Sequence, residues 1–104
     1  MVLEVNSDMF QKEVVESSQV TVVDFFANWC GPCRKLGPIM EEIETEVQKI
    51  KFVKINTDEN LEKAQEYQIS GLPTLLVFKD GKPVERMVGL MPKSSIITNI
   101  EKYI

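Results

Sequence analysis

The sequence predicts an α/β fold with a mixed sheet, on three observations. Strand-like and helix-like segments alternate along the chain. The run Val20–Ala27 is β-branched and aromatic and apolar on both parities, as in a central strand covered on both faces. Asp80-Gly81, between two further strand-like runs, is a strong hairpin signal. The reading that follows is βαβαβαββα, about five strands and about four helices. The early strands pair in parallel through helical crossovers, and the last two form an antiparallel hairpin.

Each element has its own signal. Val2-Leu3-Glu4-Val5 reads as a short strand. Asn6, Ser7 and Asp8 supply N-caps for a helix that turns Phe10, Val14 and Val15 inward. From Gly31 to about Lys49, apolar residues recur with helical period at Leu36, Ile39, Met40, Ile43 and Val47, and Pro38 is expected to kink that helix. Phe52–Asn56 is the next strand. A helix over about Glu59–Tyr67 follows, with Asp58 as its cap and Leu61, Ala64 and Tyr67 available inward. Thr74–Lys79 and Val84–Val88 flank the hairpin turn. Pro92 suits the first turn of a last helix with Ile96, Ile100, Tyr103 and Ile104 on one face.

The chain has 104 residues, the length of one domain, 1–104, and enough to bury a core. With 43% hydrophobic and 27% charged residues it is too apolar for disorder. Twelve Lys+Arg against sixteen Asp+Glu leave a net charge of −4, which argues against a nucleic-acid partner held by a basic stripe. No apolar run approaches the ~18–20 residues of a membrane span, and the N-terminus lacks the pattern of a signal peptide. A soluble, cytoplasmic monomer is the expectation.

Two counts narrow the chemistry. There is no histidine, which removes Ser-His and Cys-His pairs and any His-ligated metal. The two cysteines, Cys30 and Cys33, lie within Trp29-Cys30-Gly31-Pro32-Cys33. A zinc or iron–sulfur site would need four ligands, so a metal would have to bridge two copies. A structural disulfide across so short a loop would restrain the unfolded chain little. A redox dithiol where a strand feeds a helix is the favoured reading.

That location supplies a mechanism. Unpaired N–H groups and the macrodipole at a helix start stabilise a thiolate at Cys30 and lower its pKa. Cys33, one turn in, is expected to be more buried and protonated. Cys30 then attacks a partner's disulfide and Cys33 resolves the mixed disulfide. Gly31 keeps side-chain bulk away from the thiolate, and Pro32 fits an early helical position.

With histidine absent, Asp24 is the candidate base: a carboxylate on an otherwise apolar strand, whose burial would raise its pKa. Lys54, between Val53 and Ile55, is the nearby inward cation. The alternative makes Asp24 a strand-edge acid and Lys54 a solvated lysine. Pro73, in Gly71-Leu72-Pro73-Thr74, reads as a turn or first-strand residue, a cis bond being the minority form for X–Pro bonds generally. Trp29, the only tryptophan, either fills core or covers the disulfide at the surface.

Taken in order, Val22-Val23-Asp24-Phe25-Phe26-Ala27, Trp29-Cys30-Gly31-Pro32-Cys33, Pro38, Gly71-Leu72-Pro73-Thr74 and Val88-Gly89 resemble the thioredoxin family over nearly the whole chain. The resemblance implies the thioredoxin fold, a central mixed sheet flanked by helices. It implies reduction of protein disulfides through a redox-active Cys30–Cys33 pair with no bound cofactor or metal, as part of cell redox homeostasis. The implied partners are a thioredoxin reductase and disulfide-containing client proteins. It implies that Pro73 is cis and faces the cysteines, and that Trp29, Gly71, Leu72, Pro73, Val88, Gly89 and Leu90 form a docking surface. Asp24 and Lys54 match the family's buried acid and its lysine partner. Three positions depart from the pattern: Phe26 for a second tryptophan, Asn28 for an acidic residue, and Gly37 for a larger residue before Pro38.

Rival readings are a glutaredoxin-like or oxidase-like member of the same fold, and a binding module whose cysteines are incidental. Gly-Pro between the cysteines, and the lack of a cationic cluster for glutathione, disfavour the first.

Overall fold

The computed structural model describes residues 1–104. Strands β1 (Leu3–Val5), β2 (Thr21–Phe26), β3 (Lys51–Asn56), β4 (Thr74–Lys79) and β5 (Lys82–Val88) form one mixed sheet in the order β1-β3-β2-β4-β5. β3 runs parallel to both β1 and β2, while β4 is antiparallel to β2 and to β5. Helices α1 (Ser7–Phe10), continued by a π-helical turn (Gln11–Val15), α2 (Gly31–Glu46), α3 (Leu61–Glu66) and α4 (Lys93–Glu101) complete the thioredoxin fold expected from the sequence.

Central placement explains why β2 is apolar on both parities: Thr21 through Phe25 are all buried. On one face of the sheet Val22, Phe52, Leu75 and Val77 pack against Leu36, Met40 and Ile43 of α2 and Ile96 and Ile100 of α4. On the other, Val23, Phe25, Val53, Ile55 and Phe78 meet Phe10 and Val14, with Tyr67 packed alongside. Phe10, Tyr67 and Phe78 form an aromatic triangle with centroids 5.3–5.7 Å apart, each pair adding about 0.5–1.5 kcal/mol beyond its area. Parity sets the site: Asp24 and Lys54 share the α2 face with Val22 and Phe52.

The helix starts follow local chemistry. Asn6 is the N-cap of α1, its side chain accepting the Met9 N–H at 2.9 Å. Pro32 lies in the first turn of α2, where no N–H is needed. Pro38 stands inside α2, which continues past it to Glu46. At the hairpin Asp80 and Gly81 both have positive φ (54° and 79°), and a Cβ on Gly81 would lie 3.0 Å from the Val15 carbonyl oxygen. Pro83 is accommodated because β5 is an edge strand.

Four expectations are corrected. α2 ends at Glu46 rather than near Lys49, because the chain must turn into β3 at Lys51. Asp58 does not cap α3; Asn60 holds that position, and the Asp58 carboxylate is bound elsewhere. Leu61 faces solvent, because α3 is a short helix whose buried stripe is carried by Ala64. Ile104 is exposed, since α4 ends at Glu101 and leaves it beyond the packed face.

Candidate active site

The loop after β2 delivers Cys30 to the start of α2. Cys30 is the N-cap of that helix, and its sulfur accepts the Cys33 N–H at 3.2 Å. The sulfur therefore already occupies the place where a helix start stabilises negative charge. The two cysteines are joined as a disulfide with their Cα atoms 5.2 Å apart. They are buried alike, at 4% and 5% exposure, so burial does not set Cys33 apart from Cys30 in the oxidised form. The expected asymmetry rests instead on position: Cys30 sulfur takes the helix N–H, and Cys33 is inside the first turn. Ala27, Phe26 and Leu72 pack around the pair. A Cβ on Gly31 would meet nothing closer than 3.9 Å, so this glycine leaves the face bare and does not relieve a clash.

Behind Cys33 lies a cavity of ≈ 390 Å³ lined by Asp24, Phe26, Ala27, Asn28, Cys33, Arg34, Gly37 and Lys54. It places Cys33, Asp24 and Lys54 around one space. Asp24 is buried, and Oδ1 has no hydrogen-bond partner. Burial pushes its carboxyl up from 3.8 to about 7, with Lys54 opposing the rise. Lys54 is half-buried, paired in register with Asp24, and its Nζ lies 5.9 Å from the Phe26 ring centroid. Phe26, where the family pattern has a second tryptophan, thus forms an apolar wall of the cavity beneath the lysine. The Asn28 carbonyl accepts a 2.9 Å hydrogen bond from Arg34 Nη1.

The second loop comes from the other side of the sheet. The Leu72–Pro73 peptide bond is cis. The Gly89 N–H donates to the Pro73 carbonyl at 2.7 Å and Thr74 Oγ1 to the Gly71 carbonyl at 2.6 Å. A Cβ on Gly71 would sit 3.1 Å from Val88 Cγ1. Leu72 packs against the cysteines, while its own N–H and C=O have no partner within the chain. Val88 and Leu90 are exposed. Trp29 is 69% exposed, which removes core filling, and its indole N–H donates to Asp58 Oδ2 at 2.8 Å. The fold thus brings Asp24, Lys54, Trp29, Cys30, Cys33, Leu72 and Pro73 to one end of the sheet.

Sequence reasoning missed the polar loop behind Trp29. Asn56 ends β3 and Asp58 and Asn60 follow at alternate positions with no glycine among them, and that spacing was the available signal. It also missed Arg86, whose guanidinium donates to the Tyr67 and Gln68 carbonyls at 2.6 and 3.4 Å, closing α3 ahead of the Gly71-Leu72-Pro73 loop. No group of three or more His, Cys, Asp or Glu is placed to hold a metal. No helix is long and apolar enough to cross a membrane.

The family model described as Thioredoxin matches residues 1–102. The chain belongs to the thioredoxin family. It is 48% identical over 101 residues to "Thioredoxin M-type, chloroplastic" of Chlamydomonas reinhardtii, covering 96% of this chain and 72% of that relative. It is 42% identical over 102 residues to "Thioredoxin" of Synechocystis sp., covering 97% and 95%. A thioredoxin of Chlamydia caviae is 41% identical and spans 99% of both chains. Family membership and the paired cysteines make the chain a thiol–disulfide oxidoreductase, of the protein-disulfide reductase kind.

Proposed function

We propose that this thioredoxin family member reduces disulfides in client proteins, with Cys30 as nucleophile and Cys33 as resolving thiol, and that residues 1–104 act as one monomeric domain. The observation that carries the reading is the Cys33 N–H donated to Cys30 Sγ at the start of α2. In the reduced protein that donor and the helix dipole favour a thiolate at Cys30. The thiolate attacks one sulfur of the client disulfide, and the other sulfur leaves as a thiol after taking a proton. Cys33 then gives its proton to Asp24 and attacks Cys30 Sγ, releasing the second client thiol. The first client sulfur takes its proton from water and the second takes the Cys33 proton back from Asp24, so two electrons pass to the client and the Cys30–Cys33 disulfide remains.

A carboxyl that titrates at about 7 is matched to accept and return this proton at neutral pH. Lys54 keeps its pKa from rising further. The unpartnered Leu72 N–H and C=O support docking of a client segment as an extended strand. Trp29, Gly71, Leu72, Pro73, Val88, Gly89 and Leu90 surround that position. A thioredoxin reductase returns the electrons, no bound cofactor is required, and the role is redox homeostasis. Cytoplasm is the proposed compartment, supported by the reducing conditions this cycle needs; the chloroplastic description is that of the Chlamydomonas protein.

The test is a trap. Cys33→Ser should accumulate a mixed disulfide between Cys30 and a disulfide-containing protein, and Cys30→Ser should accumulate none. Trapping through Cys33 instead would reverse the two roles. Absence of both adducts, with wild type inactive, would remove the reading.

A further inference from the structure

Trp29 stands beside the disulfide with most of its surface in solvent, so apolar packing does not set its orientation. Its fixed point is the 2.8 Å hydrogen bond to Asp58 Oδ2. The position of Asp58 is set in turn by its loop. Asn56 Oδ1 accepts the Asp58 and Glu59 N–H groups at 2.9 and 3.3 Å. Thr57 ties the loop to the end of β2, its N–H and Oγ1 both donating to the Phe26 carbonyl, at 2.8 and 3.2 Å.

Asn60 closes the assembly. It occupies the N-cap position of α3, where an asparagine ordinarily accepts from its own helix, yet its side chain makes no such bond. Its amide donates to the Asn56 carbonyl at 2.9 Å, and its Oδ1 accepts from the Ser7 N–H at 2.8 Å and Ser7 Oγ at 3.1 Å. Asn60 is buried, so these groups find no water to replace a lost partner. Aspartate could not substitute, because a carboxylate would face the Asn56 carbonyl with no donor. The Ser7 N–H is one of the unpaired donors at the start of α1, so a residue 53 positions away completes that helix end.

We infer that Asn60 is a positioning residue for Trp29: by bridging Ser7 and Asn56 it fixes the 56–60 loop, holds Asp58 under the indole, and sets the indole's place beside the disulfide for a docking client. The inference rests on the proposed role of Trp29 in client contact. It does not require that Asn60 touch the client or the sulfurs. Its effect falls on the encounter with a large substrate and on the environment of the only tryptophan.

The test uses the full chain with insulin as the protein disulfide, dithiothreitol as the electron source, and Trp29 emission in the oxidised form as a second readout. The variants are Asn60→Ala, Ser7→Pro, Trp29→Ala and, as a control for general loosening, Ile96→Val in the core on the opposite face of the sheet. Ser7→Pro removes both donors to Asn60 Oδ1 at a helix position where proline is favoured, after an Asn6 already extended (φ −119°, ψ −178°), so it carries the test if Asn60→Ala does not fold. Asn60→Ala and Ser7→Pro should raise KM for insulin about five-fold, the equivalent of one hydrogen bond, with kcat changed less. Both should shift Trp29 emission, and Ile96→Val should do neither. Unchanged KM and emission in Asn60→Ala and Ser7→Pro, or changes no larger than those of Ile96→Val, would overturn the inference. If Trp29→Ala leaves KM unchanged, it is the docking role of Trp29 that fails. The emission of Asn60→Ala and Ser7→Pro then decides the positioning of the indole alone.

Discussion

Asp24 and Lys54 stand opposite each other in register on neighbouring parallel strands, and the carboxyl nevertheless titrates at about 7. The cation lowers the pKa, but burial raises it more, because Asp24 Oδ1 is cut off from water without a hydrogen-bond donor. An acid paired tightly with its lysine would stay ionised and serve as a poor switch. This one changes charge in the range where thiol chemistry runs, and it shares a cavity with Cys33.

The first prediction concerns stability. Between 3.8 and about 7 the folded protein binds a proton at Asp24 that the unfolded chain has released, so stability falls as pH rises through that window and is level above it. At about 1.36 kcal/mol per pH unit the loss approaches about 4 kcal/mol. Asp24→Asn escapes the charge but keeps a buried polar group. It should be more stable than wild type by about 2 kcal/mol at pH 8 and close to it near pH 4. Urea melts at both values check this; equal or lower stability at pH 8 would show that the acid is not buried in solution. The same variant should slow protein-disulfide reduction about ten-fold or more at neutral pH, through loss of the base.

Lys54→Met removes the one charge that opposes the rise. The Asp24 titration should move to higher pH, visible by NMR of the carboxyl carbon, and the pH profile of disulfide reduction should move with it. Stability above neutral pH should fall, since the ionised carboxylate loses its stabilising neighbour. A titration unmoved by the substitution would mean that the lysine does not sense the acid.

Gly71 and Val88 give a prediction on the loop that carries the cis Pro73. A Cβ at Gly71 would lie 3.1 Å from Val88 Cγ1, tighter than ordinary contact, and Val88 is an exposed side chain on an edge strand. Gly71→Ala should cost about 1 kcal/mol and raise KM for a protein disulfide, and Val88→Ala in the same chain should recover most of both. Additive effects in the double variant, measured by urea melts and steady-state kinetics, would refute the contact.

Much of the site was legible because it is local. Cys30 and Cys33 lie within one turn, Asp24 interrupts an apolar strand a few residues ahead of them, and the Asp80-Gly81 turn announces the hairpin. Asp58 was misread as a cap because an acid before a helical run is the ordinary cap pattern, and the competing donor, Trp29 Nε1, lies 29 residues away. Asn60 escaped notice for the same reason: one of its two partners, Ser7, lies 53 residues away on α1. Leu61 was read as inward from period alone, which does not say that the helix is short and buries only Ala64.

By itself the sequence determined the element order, the central strand and the pairing of a helix start with a cysteine motif, since periodicity, turn chemistry and capping act over a few residues. Only the tertiary structure decided that Asp24 is desolvated and unpaired, that Lys54 faces it, that Leu72 packs against the cysteines next to a cis Pro73, and that Trp29 is held outward by Asp58. Those properties depend on burial and on hydrogen bonds between segments far apart in the chain. They come into being when the sheet brings β2, β3 and β4 side by side.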